Sequence, residues 1–213
     1  MTRNPMTNLP HSFGSDRYWQ ERARLHLLQS VEVKQRVVEE CLNSILSATK
    51  LIVEGFQAGG KLLLCGNGGS AADAQHMAAE LVSRLTRNFE RPGLPAVALT
   101  TDTSFLTGYA NDYGFAGVFE RQVRALAKSG DVLIGISTSG NSTNVIRAIE
   151  AAKEMKLQTI GLLGEGGRLS KLVECAIVVP SQNTLYIQES LLSIEHILCD
   201  LTEQALFGEE HCT

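Results

Sequence analysis

The sequence has few cysteines, and their arrangement excludes the usual cysteine frameworks. The five are Cys41, Cys65, Cys175, Cys199 and Cys212, and no two of them form a CxxC pair. An odd number without such a pair argues against a disulfide framework or a thiolate zinc site. We therefore expect reduced thiols, most of them in the core.

The chain also lacks the segments that direct a protein to a membrane or to nucleic acid. Its first fifteen residues contain Asn, Pro, Ser and Gly but no apolar stretch of the kind a signal peptide needs. No apolar run approaches the roughly 20 residues of a membrane span. The formal charge of -4 provides no basic surface for a phosphate backbone. We expect a cytoplasmic protein without a membrane or nucleic-acid partner.

What is present suits one α/β domain. With 213 residues, 44% of them hydrophobic and 20% charged, the chain can bury a substantial core. No internal repeat, low-complexity tract or linker divides it. We predict a flexible tail over residues 1–14 and a single domain over 15–213, beginning with helices that run to residue 57 and break near Ser30. Apolar residues recur there at helical spacing: Val33, Val37, Val38, Cys41, Leu42, Ile45, Leu46 and Ile52.

After Gly59-Gly60 the apolar pattern changes from helical spacing to short continuous runs. Five runs alternate with helical stretches and predict strands over residues 61–65, 96–99, 132–136, 159–163 and 176–179. Continuous apolar runs suit strands covered on both faces, and their alternation with helices indicates parallel βαβ units. The fold class is therefore α/β, a doubly wound five-stranded parallel sheet flanked by helices, with a last helix over 184–206.

Small polar residues follow two of these predicted strands. Residues 66–71 (GNGGSA) follow the first strand and residues 137–143 (STSGNST) follow the third, and both segments run directly into helices. In an open parallel sheet, ligands bind beyond the carboxyl ends of the strands, where the strand order reverses. Both loops are thus candidate ligand sites.

Three interpretations of these loops are open: a dinucleotide site, a phosphate site and simple helix N-capping. Residues 66–71 match the GxGxxA form of a dinucleotide fingerprint, but the acidic residue expected about 20 positions later is missing, since Asp102 comes too late. Helix N-capping would need one hydroxyl residue, whereas residues 137–143 have five. Hydroxyl and backbone N–H donors at a helix start suit a phosphate monoester held without lysine or metal, and this interpretation is favoured.

Candidate acid, base and metal groups lie on two helices. His76, Glu80 and Arg84 share one face by their four-residue spacing, which allows a shared metal or a proton relay, or merely a solvated face with a Glu80–Arg84 ion pair. The last helix carries Gln188, Glu189, Glu195 and His196. Because its neighbours are apolar, His196 alone would be a core residue as readily as a ligand.

Four segments together resemble one family. Residues 135–142 (GISTSGNS) resemble the phosphate loop of SIS (sugar isomerase) domains, and residues 65–70 (CGNGGS), 110–115 (ANDYGF) and 187–189 (IQE) resemble phosphoheptose isomerases. The resemblance covers about residues 30–208 and implies a single SIS domain with its core over about 50–208. It also implies a homotetramer that converts sedoheptulose 7-phosphate, a phosphorylated ketose, to D-glycero-D-manno-heptose 7-phosphate.

Carried over by position, the resemblance implies roles for individual residues. Glu80 and His196 would be the catalytic acid–base pair. One zinc ion per subunit would bind His76, Glu80, Gln188 and His196. The substrate-binding residues would be Asn67, Gly68, Gly69, Ser70, Glu80, Asn111, Asp112, Ser137, Thr138, Ser139, Ser142 and Gln188. One departure is Leu185-Tyr186, where relatives often carry charged residues.

Two non-enzymatic alternatives also use this fold. Some similar proteins bind a bacterial replication initiator, and in those the acidic and histidine positions are typically replaced. Other SIS domains sense sugar phosphates, usually beside a DNA-binding module, which is not visible in this sequence. Because Glu80 and His196 are both retained, the sequence favours the enzyme.

Overall fold

Five parallel strands form the centre of the molecule, and their order explains where the polar loops lie. The computed structural model describes residues 15–208. The strands are β1 (Leu62–Gly66), β2 (Ala96–Ala98), β3 (Val132–Ser137), β4 (Gln158–Gly164) and β5 (Cys175–Val179), in the spatial order β2-β1-β3-β4-β5. Each pairs in parallel with its neighbours. The order reverses between β1 and β3, so the two predicted loops meet at the switch point.

Seven α-helices accompany these strands within residues 15–208. They are α1 (Asp16–Glu40), α2 (Leu42–Gln57), α3 (Gly69–Val82), α4 (Thr103–Tyr113), α5 (Val118–Leu126), α6 (Thr143–Glu154) and α7 (Thr184–Phe207). Two 3-10 turns, Phe115–Gly117 and Leu169–Lys171, complete the described elements. The predicted α/β class and the five-stranded parallel sheet are confirmed.

The sheet is covered on both faces, as the continuous apolar runs require. Along β1, Leu62 and Leu64 pack into one core with α1, α2, α3 and α7, whereas Leu63 and Cys65 pack into a second core with α5 and α6. This alternation is the period-2 geometry of a strand buried on both sides. The helices that carry the predicted acid–base groups, α3 and α7, thus share one face of the sheet.

The predicted helix break near Ser30 is wrong. α1 continues through Ser30 to Glu40, and the chain bends at Cys41 instead, where φ is -109° and ψ is -11°. Serine weakens a helix by bonding to nearby backbone, but the Ser30 hydroxyl donates to Glu189 Oε2 on α7 at 2.5 Å. The Ser30 side chain therefore leaves α1 unbroken and connects it to α7.

Four cysteines, Cys41, Cys65, Cys175 and Cys199, are buried free thiols, as expected from the sequence. Burial raises the pKa of the Cys65 thiol to about 12, which keeps it protonated and unreactive. Cys212 and the predicted tail over residues 1–14 lie outside the described residues. No helix within residues 15–208 is long and apolar enough to cross a membrane.

Candidate active site

The loop after β1 takes a shape that depends on glycine. Gly68 has φ of +57°, a conformation that side chains rarely adopt, and it precedes the first turn of α3. A Cβ at position 66 would lie 2.6 Å from the Ser70 carbonyl oxygen, and a Cβ at position 69 would lie 3.1 Å from Gln188 Oε1. The glycines thus let Ser70 and α7 approach the end of β1.

The hydroxyl-rich loop after β3 runs into α6, and its serine hydroxyls contact one another and the loop backbone instead of capping the helix. Ser142 occupies the N-cap of α6 without a side-chain capping bond, and its Oγ lies 3.1 Å from Ser137 Oγ instead. Ser139 Oγ accepts a bond from the Asn141 N–H at 3.2 Å. The first N–H groups of a helix lack intrahelical partners and attract anions. Hydroxyls and helix donors converge here as a phosphate would require.

A pair of amides joins the two loops. Asn67 Nδ2 donates to Asn144 Oδ1 at 2.9 Å, and Asn144 Nδ2 donates back to Asn67 Oδ1 at 2.8 Å. Asn144 Oδ1 also accepts from the Val145 N–H at 3.0 Å, which fixes the buried Asn144 on α6. Sequence reasoning missed Asn144. The available signal was a polar residue one position beyond the hydroxyl loop, and its partner became evident only once β1 and β3 were neighbours.

Gln188 connects α7 to the first loop and to α3. Its Nε2 donates to Asp73 Oδ2, and its Oε1 lies 3.5 Å from Ser70 Oγ. Burial raises the pKa of Asp73 to about 6, against the opposing effect of nearby His76. The amide nitrogen of Gln188 is thus directed to Asp73 and its oxygen to Ser70.

Three side chains from α3 and α7 converge beside this contact. Glu80 Oε1 lies 3.0 Å from His76 Nε2 and 3.4 Å from His196 Nε2, and the two imidazole nitrogens are 3.0 Å apart. One ligand atom from each of the three residues lies within 4.8 Å of the others. The set consists of two imidazole nitrogens and a carboxylate oxygen, which are donors that zinc accepts. The residues present fit a divalent metal ion.

The structure shows neither of the two purely structural roles considered for these residues, an ion pair between Glu80 and Arg84 and a core position for His196. Glu80 does not pair with Arg84, which lies beyond the end of α3 and contacts Glu90. His196 is no core residue, since its side chain is 46% exposed, whereas that of Glu80 is 15% exposed. The triad is therefore reachable from solvent, with the carboxylate at its base.

Beside the exposed His196, α7 carries a fully buried acid, Glu195. Glu195 has no exposed surface, and neither of its carboxylate oxygens has a hydrogen-bond partner within residues 15–208. Burial, together with the negative charges of Asp73 and Glu80, raises its pKa to about 9. Glu195 is therefore a neutral acid at pH 7, beneath the helix face that carries His196.

Asn111, Asp112 and the departure at Leu185-Tyr186 lie outside this network. Asn111 and Asp112 are exposed on the last turn of α4, where Asn111 Nδ2 donates to Asp112 Oδ1 at 2.9 Å. Leu185 is exposed, while Tyr186 is buried against α1 and donates its hydroxyl to Gln29 at 2.6 Å.

A cavity of about 250 Å³ lies between the first loop and α4. Its lining includes Asn67 and Gly68 from the loop, Leu106 from α4, and Phe115 and Phe119 beyond it. The cavity provides room for a small ligand directly beside the amide that Asn144 holds in place.

The chain is similar over most of its length to proteins of known family. A phosphoheptose isomerase of Roseiflexus sp. is 53% identical over 181 residues, which span 84% of this chain and 91% of the relative. The structure of phosphoheptose isomerase from Neisseria gonorrhoeae superposes with a TM-score of 0.82 at 44% identity, covering 87% of this chain and 99% of that one. The corresponding structure from Francisella tularensis gives 0.83 at 36% identity, over 87% and 98% of the two chains.

The family match covers the first part of the site, and the relatives extend over the rest. The SIS domain family matches residues 27–164, which include both loops and α3. The alignments with phosphoheptose isomerases cover more than four fifths of this chain and nearly the full length of those relatives. The chain therefore belongs to the SIS domain family and, within it, to the phosphoheptose isomerases, a group of sugar-phosphate isomerases.

Proposed function

We propose that this protein interconverts sedoheptulose 7-phosphate and D-glycero-D-manno-heptose 7-phosphate. The observation that supports the proposal is a chain of contacts between the hydroxyl-rich loop and the helices of the triad: Asn144 at the start of α6 pairs with Asn67, and Ser70 in the loop of Asn67 contacts Gln188 on α7, about two turns before His196. A phosphate held at Ser137, Thr138, Ser139 and Ser142 would orient the far end of the sugar toward α3 and α7. Such positioning lowers the barrier by fixing the reacting carbons beforehand.

The reaction moves one proton between two carbons of the sugar. Glu80 takes the proton from C1 of the open-chain ketose and returns it to C2 of the enediol, which gives the aldose. His196 donates and accepts the proton on the sugar oxygens and assists ring opening. Positioned acids and bases of this kind contribute about a hundred- to ten-thousandfold in rate.

Zinc is the metal that we assign to His76, Glu80, Gln188 and His196. When bound, it would polarise the sugar carbonyl and stabilise negative charge on oxygen. Support comes from the compact triad. Asn111 and Asp112 remain proposed substrate contacts. The first-loop contacts would come from Asn67, Gly68, Gly69 and Ser70.

The proposed reaction is tested directly by NMR of the purified protein with sedoheptulose 7-phosphate. We expect the anomeric signals of the aldose to grow, with deuterium entering at C2 in heavy water. Sedoheptulose, which lacks the phosphate, and fructose 6-phosphate, which has a shorter carbon chain, are the two controls. Phosphate binding without conversion would instead support a binding or sensing protein.

The proposed assembly is a homotetramer. Large apolar side chains cover an exposed part of α1, among them Leu25, Leu27, Leu28, Val31 and Val38. An apolar surface of this kind marks an interface more often than a solvated helix face. Light scattering at micromolar protein should give the mass of four chains, and a monomer would contradict the proposal. The cytoplasmic location stays a prediction from the sequence.

A further inference from the structure

A buried ion pair lies at the C-terminal end of α3, between that helix and α7. Arg91 is 6% exposed and Glu203 is 2% exposed. Glu203 Oε1 accepts from Arg91 Nε at 2.8 Å and from Arg91 Nη2 at 2.5 Å. Neither residue belongs to the loops or the triad, and the mechanism above makes no use of them.

Arg91 also binds the backbone of the helix that carries Glu80. Its Nη2 donates to the carbonyl oxygen of Glu80 at 2.8 Å, and its Nη1 donates to the carbonyl oxygens of Leu81 at 2.6 Å and Ser83 at 3.2 Å. The last carbonyls of a helix have no intrahelical partner. One planar guanidinium with five N–H donors satisfies them and reaches Glu203 as well.

Glu203 brings α7 into the same contact. It lies seven residues, or about two helical turns, after His196 on the same side of α7. Its Oε1 also accepts from the Leu85 N–H at 3.1 Å, so it holds the segment that follows α3. The ion pair therefore joins the α3 backbone at Glu80 to the α7 face that carries His196.

We propose that Arg91 and Glu203 are positioning residues that fix the distance between Glu80 and His196. This inference rests on the proposed function of the triad. The pair would matter less as a source of stability, since buried ion pairs often add none over an apolar pair of similar size. Its particular property is geometric: it contacts the peptide of the proposed base and connects the two helices of the triad.

The test compares Arg91→Lys and Glu203→Gln with a control that only destabilises the fold. Lysine keeps the charge but cannot bind Glu203 and the α3 carbonyls at once. The control is Val123→Ala, a buried truncation in the opposite core layer, and all variants are compared at one temperature well below each melting temperature. For each variant we would measure kcat, KM, zinc affinity by chelator competition, and inorganic phosphate affinity.

We expect Arg91→Lys and Glu203→Gln each to lose about 10- to 100-fold in zinc affinity and kcat, as for other residues that support metal ligands. Phosphate affinity should stay at the wild-type value, because the loop after β3 does not contact the pair. Val123→Ala should leave all four quantities unchanged. Losses no larger than those of Val123→Ala would overturn the proposal.

Two further measurements keep the proposal falsifiable. If a single variant does not fold, we would use the double variant Arg91→Met with Glu203→Met, in which two apolar side chains replace the ion pair. Its melting temperature should return toward the wild-type value, whereas its kcat should remain low. Recovery of both would refute the positioning role. If the wild type neither converts the sugar nor binds zinc, the proposed function fails on its own. The ring NMR signals of His76 and His196 then decide the geometry, since they should shift in Arg91→Lys and not in Val123→Ala.

Discussion

The side-chain amides of Asn67 and Asn144 exchange two hydrogen bonds, so each orients the other. Asn67 belongs to the loop after β1 and Asn144 to the first turn of α6. Their pairing fixes the two loops relative to one another before any ligand binds, and it determines which atoms of Asn67 remain available to a sugar.

Replacing Asn144 with alanine should weaken binding of phosphorylated sugars. A buried polar group left without its hydrogen-bond partner costs about 1 to 3 kcal/mol, which corresponds to about 5- to 140-fold in KM. Steady-state kinetics would measure the change, with Asn43→Ala on the exposed face of α2 as the matched control. An unchanged KM would show that Asn67 needs no partner.

Replacing both Ser139 and Ser142 with alanine should weaken phosphate and phosphosugar binding together. The change removes two hydroxyls from the proposed phosphate site and leaves the backbone of α6 intact. Calorimetry with inorganic phosphate would measure the loss, and Ser47→Ala on α2 serves as control. Equal phosphate affinity in the double variant and the wild type would remove the loop from the site.

Glu80→Gln and His196→Asn should each lower turnover strongly without unfolding the protein. Each substitution keeps approximate size while removing a proton-transfer group, so the rate should fall by about a hundredfold or more. Turnover and melting temperature are measured together with phosphate affinity, which should be retained. A near-normal rate in either variant contradicts the assigned mechanism.

His76→Gln should lower zinc content. The substitution removes one of the three donors that lie within 4.8 Å of one another. Metal analysis after dialysis would detect the loss, with Ala79→Ser on the exposed face of α3 as control. Full zinc occupancy in His76→Gln would place the metal elsewhere.

Acid should destabilise the fold partly through Asp131, which is buried at the start of β3. Burial alone would raise the pKa of this carboxyl, but bonds from Lys61 and from the N–H groups of Lys128 and Lys61 outweigh it, so the pKa lies below the ordinary value of 3.8. A lowered pKa gives stability that is present above pH 3.8 and lost as the pH falls through the native pKa. Asp131→Asn should therefore flatten the acid limb of a plot of unfolding free energy against pH. An unaltered acid limb would refute this assignment.

The strands could be predicted because their signal is local. Each predicted strand matches the observed one to within a residue at either end, since continuous apolar runs between turns leave little freedom. The triad could be proposed from four-residue spacing on α3 and from the resemblance on α7. Its distances required the tertiary structure, because α3 and α7 are more than a hundred residues apart.

Long-range contacts account for what sequence reasoning missed or predicted wrongly. Nothing near Ser30 indicates that its hydroxyl bonds Glu189 and leaves α1 unbroken. Likewise, Arg84 has the spacing to pair with Glu80, but α3 ends at Val82 and takes Arg84 off that face. Local periodicity carries no information about which distant side chain will compete for a hydrogen bond.

The division of the triad between α3 and α7 sets an order of events during synthesis. All five strands and both polar loops are complete by Val179, whereas His196 emerges seventeen residues later. A chain still on the ribosome therefore contains every strand and both loops before it contains the proposed acid–base pair, while the sheet face that α7 covers is still open. The proposed acid–base pair is therefore completed only with the final helix, and a chain interrupted before α7 would lack both His196 and the helix that covers one face of the sheet.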